Sequence, residues 1–258
     1  MIKTGLRFIL NSSILLAFFA FAFTFGLHHN WQEKVTYSST VFFSIIGIYN
    51  FHRLFKFSNN QLTKSLKIWL ELNLLPVQLL CFFGILLSSC LFLFLLNFEL
   101  QHLVLLSVCL LISLIYVILK WREFPFLKAF LVALVWTIVL VILPNLMQTK
   151  LEIGNLTFML FFYALTIPPD ARDITMDHKK MNTLPQLIGK KWSYRIAVLL
   201  LNLFVFLQSF SIETKFTLVL FNTFWFSFIQ YLESKNKIRI ELVDMILFIF
   251  GLVFFTMN

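Results

Sequence analysis

The chain alternates between long apolar segments and shorter polar ones along its whole length. At a helical rise of about 1.5 Å per residue, each apolar segment is close to long enough to cross a bilayer, except the sixth, which is short. The nine apolar segments cover residues 8–27, 40–55, 72–96, 103–119, 126–146, 156–168, 194–210, 216–231 and 242–257. The pattern therefore predicts an all-α, polytopic membrane protein with nine transmembrane helices.

The positive charges alternate with these segments in the way that the positive-inside rule requires. With the N-terminus in the cytoplasm, every Lys and Arg falls in an inside segment except Lys34, Lys150 and Lys215. Adding or removing one span would destroy this alternation. We therefore predict an integral, multi-pass protein of the cytoplasmic or inner membrane, with the N-terminus inside and the C-terminus outside.

The composition supports the membrane class and excludes others. The 258 residues are 60% hydrophobic, include 34 Phe and have a mean hydropathy of +0.88. No polar stretch exceeds about thirty residues, which is well short of a soluble domain, so residues 1–258 are predicted to form a single transmembrane domain. The net charge of +9 lies in the loops, where it suits anionic lipid headgroups or a phosphorylated substrate rather than nucleic acid. Nothing in the sequence indicates a protein partner.

The polar segments on the predicted cytoplasmic side are longer than those outside. Inner segments 51–71 and 170–193 contrast with outer turns such as 97–102 and 211–215. This asymmetry predicts a binding or catalytic cap on the cytoplasmic side. Within it, residues 59–71 (NNQLTKSLKIWLE) have a modest helical pattern, which fits either a lid along the membrane interface or an extension of the next helix.

The candidate chemistry concentrates in an acidic cluster directly after the sixth apolar segment. Pro168-Pro169 closes that segment and is predicted to end or kink its helix. Asp170, Asp173 and Asp177 follow with the spacing i, i+3, i+7, so on a helix all three project from one face. These residues are therefore the first candidates for a functional site.

Two interpretations of the acidic cluster are open. Three carboxylates on one face repel one another unless a cation lies between them, and Mg²⁺ is typically held by one or two carboxylates together with substrate phosphates. The alternative is a solvated helix end in which the carboxylates pair with Arg172, Lys179 and Lys180. Acidic residues are rare in this chain, which favours the cation site.

The string DARDITMDHKKMNTLPQLIG, residues 170–189, resembles the second Asp-rich motif of the UbiA-type intramembrane prenyltransferase superfamily. In that family a D-x-x-D-x-x-x-D segment, then a basic turn and T-L-P, closes the sixth helix on the cytoplasmic side. The resemblance implies a helical bundle around a central cavity, where Mg²⁺ binds a polyprenyl diphosphate. It also implies that Asp173 and Asp177 ligate the metal, with Asp170 and Arg172 at flanking polar positions.

The family's first motif, N-D-x-x-D-x-x-x-D, falls where this chain reads NFHRLFKFS over residues 50–58. Only Asn50 is kept. The three Asp positions are occupied by Phe51, Leu54 and Ser58. The segment instead carries His52, Arg53 and Lys56, and cationic side chains bind diphosphate directly, with Arg making bidentate contacts. Asn50, Arg53 and Lys56 are therefore candidate diphosphate-binding residues.

A third inner segment, residues 120–128 (KWREFPFLK), contains two further candidate cations. The family commonly has a basic residue near this place that contacts the diphosphate, which makes Lys120 or Lys128 a candidate. The positive-inside topology alone also accounts for both charges.

Two functions from different classes follow from these features. The first is Mg²⁺-dependent transfer of a prenyl group from a polyprenyl diphosphate to an aromatic or other lipophilic acceptor, with Asp170, Asp173 and Asp177 as the catalytic residues. The second is a non-catalytic protein of the same fold that binds an isoprenoid or phospholipid, or acts as an assembly partner, because the first motif is lost. A transporter is disfavoured, since no inverted repeat and no charge at mid-span are visible.

Overall fold

The computed structural model of the chain describes residues 8–9, 11–27, 31–60, 62, 64–95, 100–118, 126–147, 153–174, 183–209 and 211–234. These residues form helices and turns, and no β-strand occurs among them. The helices are α1 (Ile14–Leu27), α2 (Trp31–Ser58), α3 (Lys64–Leu72), α4 (Leu74–Leu95), α5 (Leu100–Ile118), α6 (Leu127–Thr137), α7 (Leu143–Met147), α8 (Phe158–Asp173), α9 (Leu184–Ile188), α10 (Lys190–Leu207) and α11 (Ile212–Ser234).

The predicted spans agree with the helices in the described part of the chain. Each of the first eight spans overlaps a helix, and the ninth, 242–257, lies outside the described residues. Two stretches in this part, Leu74–Leu93 and Leu127–Leu146, are long and apolar enough to cross a membrane, and Ile14–Gly26 and His102–Ser113 are shorter apolar helices. The all-helical class is therefore confirmed. The count of nine membrane helices, their orientation and the cytoplasmic cap stay predictions.

The chain divides into two units, with α1–α4 in the first and α5–α11 in the second. The single domain predicted for residues 1–258 is not tested by this division and stays a prediction. In the first unit, α2 packs against both α1 and α4. Helices α2 and α4 lie close together at Gly47 and Gly84, where the absence of side chains lets the two backbones approach directly. These two glycines therefore set how closely α4 lies to α2.

The core of the second unit is built around α8, which packs against α6 and α10. Three buried rings hold α8 to α10: the ring centroid of Phe204 lies 4.9 Å from that of Phe158 and 5.2 Å from that of Phe161. Aromatic pairs at such distances contribute about 0.5–1.5 kcal/mol each beyond their buried area. This packing fixes α8, and with it the acidic residues at its C-terminal end.

The long apolar segment that begins with α6 accommodates a proline without breaking. A π-helical turn, Ile138–Ile142, joins α6 to α7, which contains Pro144. Proline has no backbone N–H to donate, and a local π-turn is one way for a helix to absorb the missing bond. The side-chain amide of Asn145 donates to the carbonyl of Val141 at 2.8 Å in the same region. The segment therefore remains helical over its whole length.

Helix α3 is a short helix of its own, followed directly by Asn73 and α4. The side-chain amide of Asn73 donates to the carbonyl of Trp69 at 2.8 Å, a local bond that competes with the regular helix pattern. Leu70 is fully buried, whereas Leu72 is 80% exposed. Residues 64–72 are thus not an uninterrupted extension of α4. Their predicted place along the membrane interface stays a prediction.

One face of α4 consists of exposed apolar side chains. Its exposed members recur at helical spacing and are Leu75, Leu79, Phe82, Phe83 and Leu86. A contiguous apolar face of this kind is costly in water and is the normal lipid-facing surface of a membrane helix. The surface of α4 therefore supports the membrane class that the composition predicts.

Candidate functional site

The acidic end of α8 is the first part of the candidate site. Helix α8 continues through Pro168 and Pro169 to Asp173, so the prolines do not end the helix. They remove the two backbone donors that would bond to the carbonyls of Ala164 and Leu165. Both of those residues are buried, at 0% and 4% exposure, in the packed core of the second unit. Tertiary packing therefore outweighs the low helix propensity of proline here.

The structure places the predicted acidic residues unequally. Asp170 lies in the last turn of α8 and is only 7% exposed, and Asp173 is the final residue of the helix. A spacing of three residues puts Asp170 and Asp173 on the same helix face, as the sequence predicts. For Arg172 and Asp173 the structure describes the backbone only, and Asp177 lies outside the described residues.

An ion pair joins the acidic end of α8 to the start of α6. The ammonium of Lys128, the second residue of α6, contacts Oδ1 of Asp170. The Lys128 side chain is 25% exposed and the Asp170 side chain 10%. Both charges lie at the unfavourable end of their own helix, because the helix dipole disfavours a cation in the first turn and an anion in the last. The two charges therefore stabilise each other across the α6–α8 contact.

The T-L-P turn after the motif forms the short helix α9. The backbone N–H of Thr183 donates to Oε1 of Gln186 at 3.0 Å, which pairs a backbone donor at the start of the helix. Gly189 separates α9 from α10 with a φ of 81°, a conformation that favours glycine. Thr183, Leu184 and Pro185 are all buried. The segment that follows the acidic motif is therefore anchored in the second unit.

The donor chemistry at the end of α8 fits Mg²⁺. Asp170 and Asp173 are hard oxygen donors on one face of one helix, and Mg²⁺ is usually bound through one or two carboxylates plus phosphate oxygens and water. Among the residues that the structure describes, no three Asp, Glu, His or Cys side chains are grouped to hold a metal ion. A bound ion would therefore need further ligands from Asp177, water or a substrate phosphate.

The place of the first motif, near the end of α2, holds a buried hydrogen-bond network. Asn50 is fully buried, and its side-chain amide donates to the carbonyls of Ser12 at 2.9 Å and Ile46 at 2.8 Å. Its Oδ1 accepts a bond of 3.2 Å from the guanidinium of Arg53, which also reaches the hydroxyl of Ser13 at 3.4 Å. Asn50 thus joins α2 to the turn that precedes α1 and orients Arg53.

The turn that receives this network is itself strained. Ser13 has a φ of 61°, in the left-handed region that residues other than glycine rarely adopt. Sequence reasoning did not find Ser12 and Ser13, which lie inside the first apolar segment and carry no motif. Lys56 and His52 lie on the same helix and are partly exposed, and Lys120 lies outside the described residues. The role of Asn50, Arg53 and Lys56 in diphosphate binding stays a prediction.

We expect Asn50→Ala to lower the free energy of unfolding by about 2–3 kcal/mol. The substitution removes two bonds to backbone carbonyls and leaves the buried Ser12 carbonyl without this donor, and such a loss costs about 1–3 kcal/mol per buried group. Thermal unfolding followed by circular dichroism in detergent measures the change. Asn59→Ala is the matched control, since Asn59 is exposed and its amide donates to the nearby carbonyl of Phe55. A control that destabilises as much as Asn50→Ala would contradict the assignment.

Sequence reasoning also missed the partner of Asp170. The sequence offered Arg172, Lys179 and Lys180 as neutralising residues, and Lys128 only as a candidate for diphosphate binding. Lys128 lies 42 residues from Asp170 in the chain, and it meets Asp170 because α6 packs against α8. The sequence carried no signal for this pair, because other helices of the chain also begin with lysine, as α10 does at Lys190.

Comparison with known proteins identifies the fold. The sequence matches no protein-family model and no curated protein. Two solved structures of a UbiA homologue from Archaeoglobus fulgidus are similar. The one bound to GPP and Mg²⁺ has a TM-score of 0.69 at 14% identity, covering 98% of this chain and 97% of that chain. The one bound to DMAPP and Mg²⁺ has a TM-score of 0.61 at 13% identity, covering 98% and 99%.

These similarities extend over nearly the whole of both chains, so they are not confined to one local motif. At such low identity a structural likeness establishes the fold and not the chemistry. The resemblance predicted from residues 170–189 is confirmed at this level: the chain has the fold of the UbiA homologues.

Proposed function

We propose that this chain is a UbiA-like intramembrane prenyltransferase, which transfers a prenyl group from a polyprenyl diphosphate to an aromatic or other lipophilic acceptor. The observation that carries the proposal is the fold, shared over 98% of the chain with a UbiA homologue bound to GPP and Mg²⁺. GPP and DMAPP are both prenyl diphosphates, and a membrane-embedded site suits a substrate with one charged and one apolar end. The acidic end of α8 supports the proposal, since its carboxylates are ligands that Mg²⁺ accepts.

The reaction breaks the bond between the allylic carbon of the prenyl chain and the diphosphate oxygen, and the electron pair leaves with the diphosphate. A new bond then forms between that carbon and the acceptor, which loses a proton. Bound Mg²⁺ would supply neutralisation of the leaving diphosphate. Exclusion of water from the apolar interior keeps the allylic carbon available for the acceptor instead of for hydrolysis.

We assign the following roles to the chain's own residues. Asp173 and Asp177 would hold the metal, with Asp170 assisting from the preceding turn. The cationic and amide side chains proposed to bind the diphosphate are Asn50, Arg53, Lys56, Lys120 and Arg172. Arginine suits this role because its planar guanidinium makes two parallel bonds to phosphate oxygens. The partly buried bond between Asn50 and Arg53 supports a positioning role for Asn50 in this set.

The site is proposed to face the cytoplasm, in a cytoplasmic or inner membrane crossed nine times, with the N-terminus inside. The distribution of Lys and Arg supports this orientation. Fusion of a compartment-sensitive reporter to each terminus tests it, with reporter signals expected on opposite sides of the membrane. Signals on the same side would contradict an odd number of spans.

A non-catalytic binding protein of the same fold is the second candidate. One specific observation favours it: the first-motif Asp positions hold Phe51, Leu54 and Ser58. The structure adds that the Arg53 guanidinium bonds to Asn50 and Ser13. Such a protein would bind a prenyl or lipid diphosphate with little dependence on metal and without turnover.

The deciding experiment uses the full chain, purified and reconstituted in lipid vesicles. Diphosphate release from GPP and from longer prenyl diphosphates is measured with Mg²⁺ and with EDTA, with aromatic acceptors present. The enzyme proposal predicts release only with Mg²⁺. If the vesicles retain the radiolabelled prenyl diphosphate equally in Mg²⁺ and EDTA and release none, the binding-protein alternative is correct.

A further inference from the structure

The contact between Lys128 and Asp170 places an ammonium on the carboxylate that begins the acidic motif. Asp170 is 7% exposed, so little solvent is available to stabilise its charge, and a buried carboxylate requires a cation or several hydrogen-bond donors. The dipole of α8 does not stabilise this negative charge, because Asp170 lies at the C-terminal end of the helix. The Lys128 ammonium supplies a positive charge at bonding distance.

Lys128 differs from Asp170 in its freedom to move. Its side chain is 25% exposed, compared with 10% for Asp170, and it extends from the first turn of α6 on a flexible four-carbon chain. The dipole of α6 also disfavours an ammonium at this position, and the Asp170 carboxylate offsets that cost. An incoming cation that neutralises Asp170 would therefore release Lys128 toward solvent or toward another anion.

We propose that Lys128 and a divalent cation are alternative counter-ions of Asp170, and that Lys128 weakens divalent-cation binding at the end of α8 when no diphosphate is present. A diphosphate offers the released ammonium a second anionic partner, so the metal and the diphosphate bind with positive coupling. Such coupling is reciprocal, since each ligand raises the affinity of the other by the same factor. The prenyl diphosphate and the cation site at the end of α8 rest on the proposed function, whereas the ion pair of Lys128 with Asp170 does not.

The test measures Mn²⁺ binding, as a spectroscopic substitute for Mg²⁺, by electron paramagnetic resonance on the full chain in detergent without any diphosphate. We expect Lys128→Met to bind Mn²⁺ about ten-fold more tightly than the wild type. Lys128→Arg keeps the positive charge and should bind as the wild type does. In the Asp170→Asn background, Lys128→Met should give no gain. Equal binding by wild type and Lys128→Met, or a gain that survives Asp170→Asn, would overturn the proposal.

A second measurement needs no variant and so does not depend on the folding of Lys128→Met. Acylation of lysine side chains in the wild type is followed by mass spectrometry with and without Mn²⁺. Release of the ammonium predicts faster modification of Lys128 when Mn²⁺ is present, while the exposed Lys191 is modified at an unchanged rate. An unchanged rate at Lys128, at Mn²⁺ concentrations that saturate binding, contradicts the exchange.

These outcomes separate this inference from the proposed function. A chain that never releases diphosphate from any prenyl substrate fails as an enzyme, yet the two Mn²⁺ measurements still decide the exchange at Asp170. Suppose instead that the chain turns over a prenyl diphosphate with Mg²⁺ and yet binds Mn²⁺ equally well as wild type and as Lys128→Met. That result would support the proposed enzyme activity and contradict the exchange at Asp170.

Discussion

Replacing Asp173 with Asn is expected to lower Mg²⁺-dependent diphosphate release by about 10²- to 10³-fold, the usual loss when one preorganised electrostatic group is removed from a catalytic site. The substitution keeps the size and polarity of the side chain and removes its negative charge. Mg²⁺ binds carboxylates far better than amides when only one or two protein ligands are available. The position of Asp173 at the end of α8, on the same face as Asp170, makes it the proposed link between the anchored helix and the metal.

Initial rates at several Mg²⁺ concentrations measure the effect. Higher Mg²⁺ should restore part of the rate if Asp173 binds the metal, and none if the substitution only damages the fold. The matched control is Glu213→Gln, which removes a carboxylate from the exposed first turn of α11. Loss of activity in the control, or full activity in Asp173→Asn, would falsify the assignment of Asp173.

Replacing Gly84 with Ala is expected to lower the free energy of unfolding by about 3 kcal/mol, the upper part of the range for overpacked sites. A Cβ on Gly84 would lie 2.6 Å from the backbone nitrogen of Gly47 and 2.9 Å from the carbonyl oxygen of Phe43. Backbone atoms of a packed helix cannot move aside as the end of a long side chain can. The change must therefore separate α2 from α4, although alanine by itself favours a helix over glycine by about 1 kcal/mol.

Thermal unfolding in detergent micelles, followed by circular dichroism, measures the loss. Gly154→Ala is the control, because a Cβ at Gly154 meets nothing within 4 Å and the glycine does not have a positive φ. The control should change the free energy of unfolding by less than about 0.5 kcal/mol. A Gly84→Ala protein as stable as the control would show that the α2–α4 contact is looser than the structure indicates.

The helices and the acidic motif could be predicted from the sequence because both are local features. Apolar segments of spanning length form helices wherever water is excluded, since the backbone must satisfy its own hydrogen bonds there. The spacing of Asp170 and Asp173 fixes their common helix face by the same local geometry. The prediction that Pro168-Pro169 ends or kinks the helix relied on propensity alone. The helix does not end there, because α8 is packed against α6 and α10.

The network around Asn50 shows why the site could be predicted only in part. The sequence identifies Asn50 as the retained residue of the first motif. It does not indicate that Asn50 bonds to the carbonyl of Ser12, 38 residues away, or that this bond helps to hold Arg53. A long-range contact of this kind depends on which helices pack together and on which residues meet where they cross. A local sequence pattern contains neither piece of information.

The sequence by itself thus determined the all-helical class, the approximate places of the helices that overlap its first eight apolar segments, and the acidic motif that follows the sixth segment. Only the tertiary structure decided that Lys128 neutralises Asp170, that Asn50 joins α2 to the turn before α1, and that Gly47 meets Gly84. The physical reason is that helices apolar on all sides carry no periodic face to indicate their neighbours. Which helices pair is decided by close packing and by a few buried polar groups. The partner of such a polar group can be identified only when both helices are seen in contact.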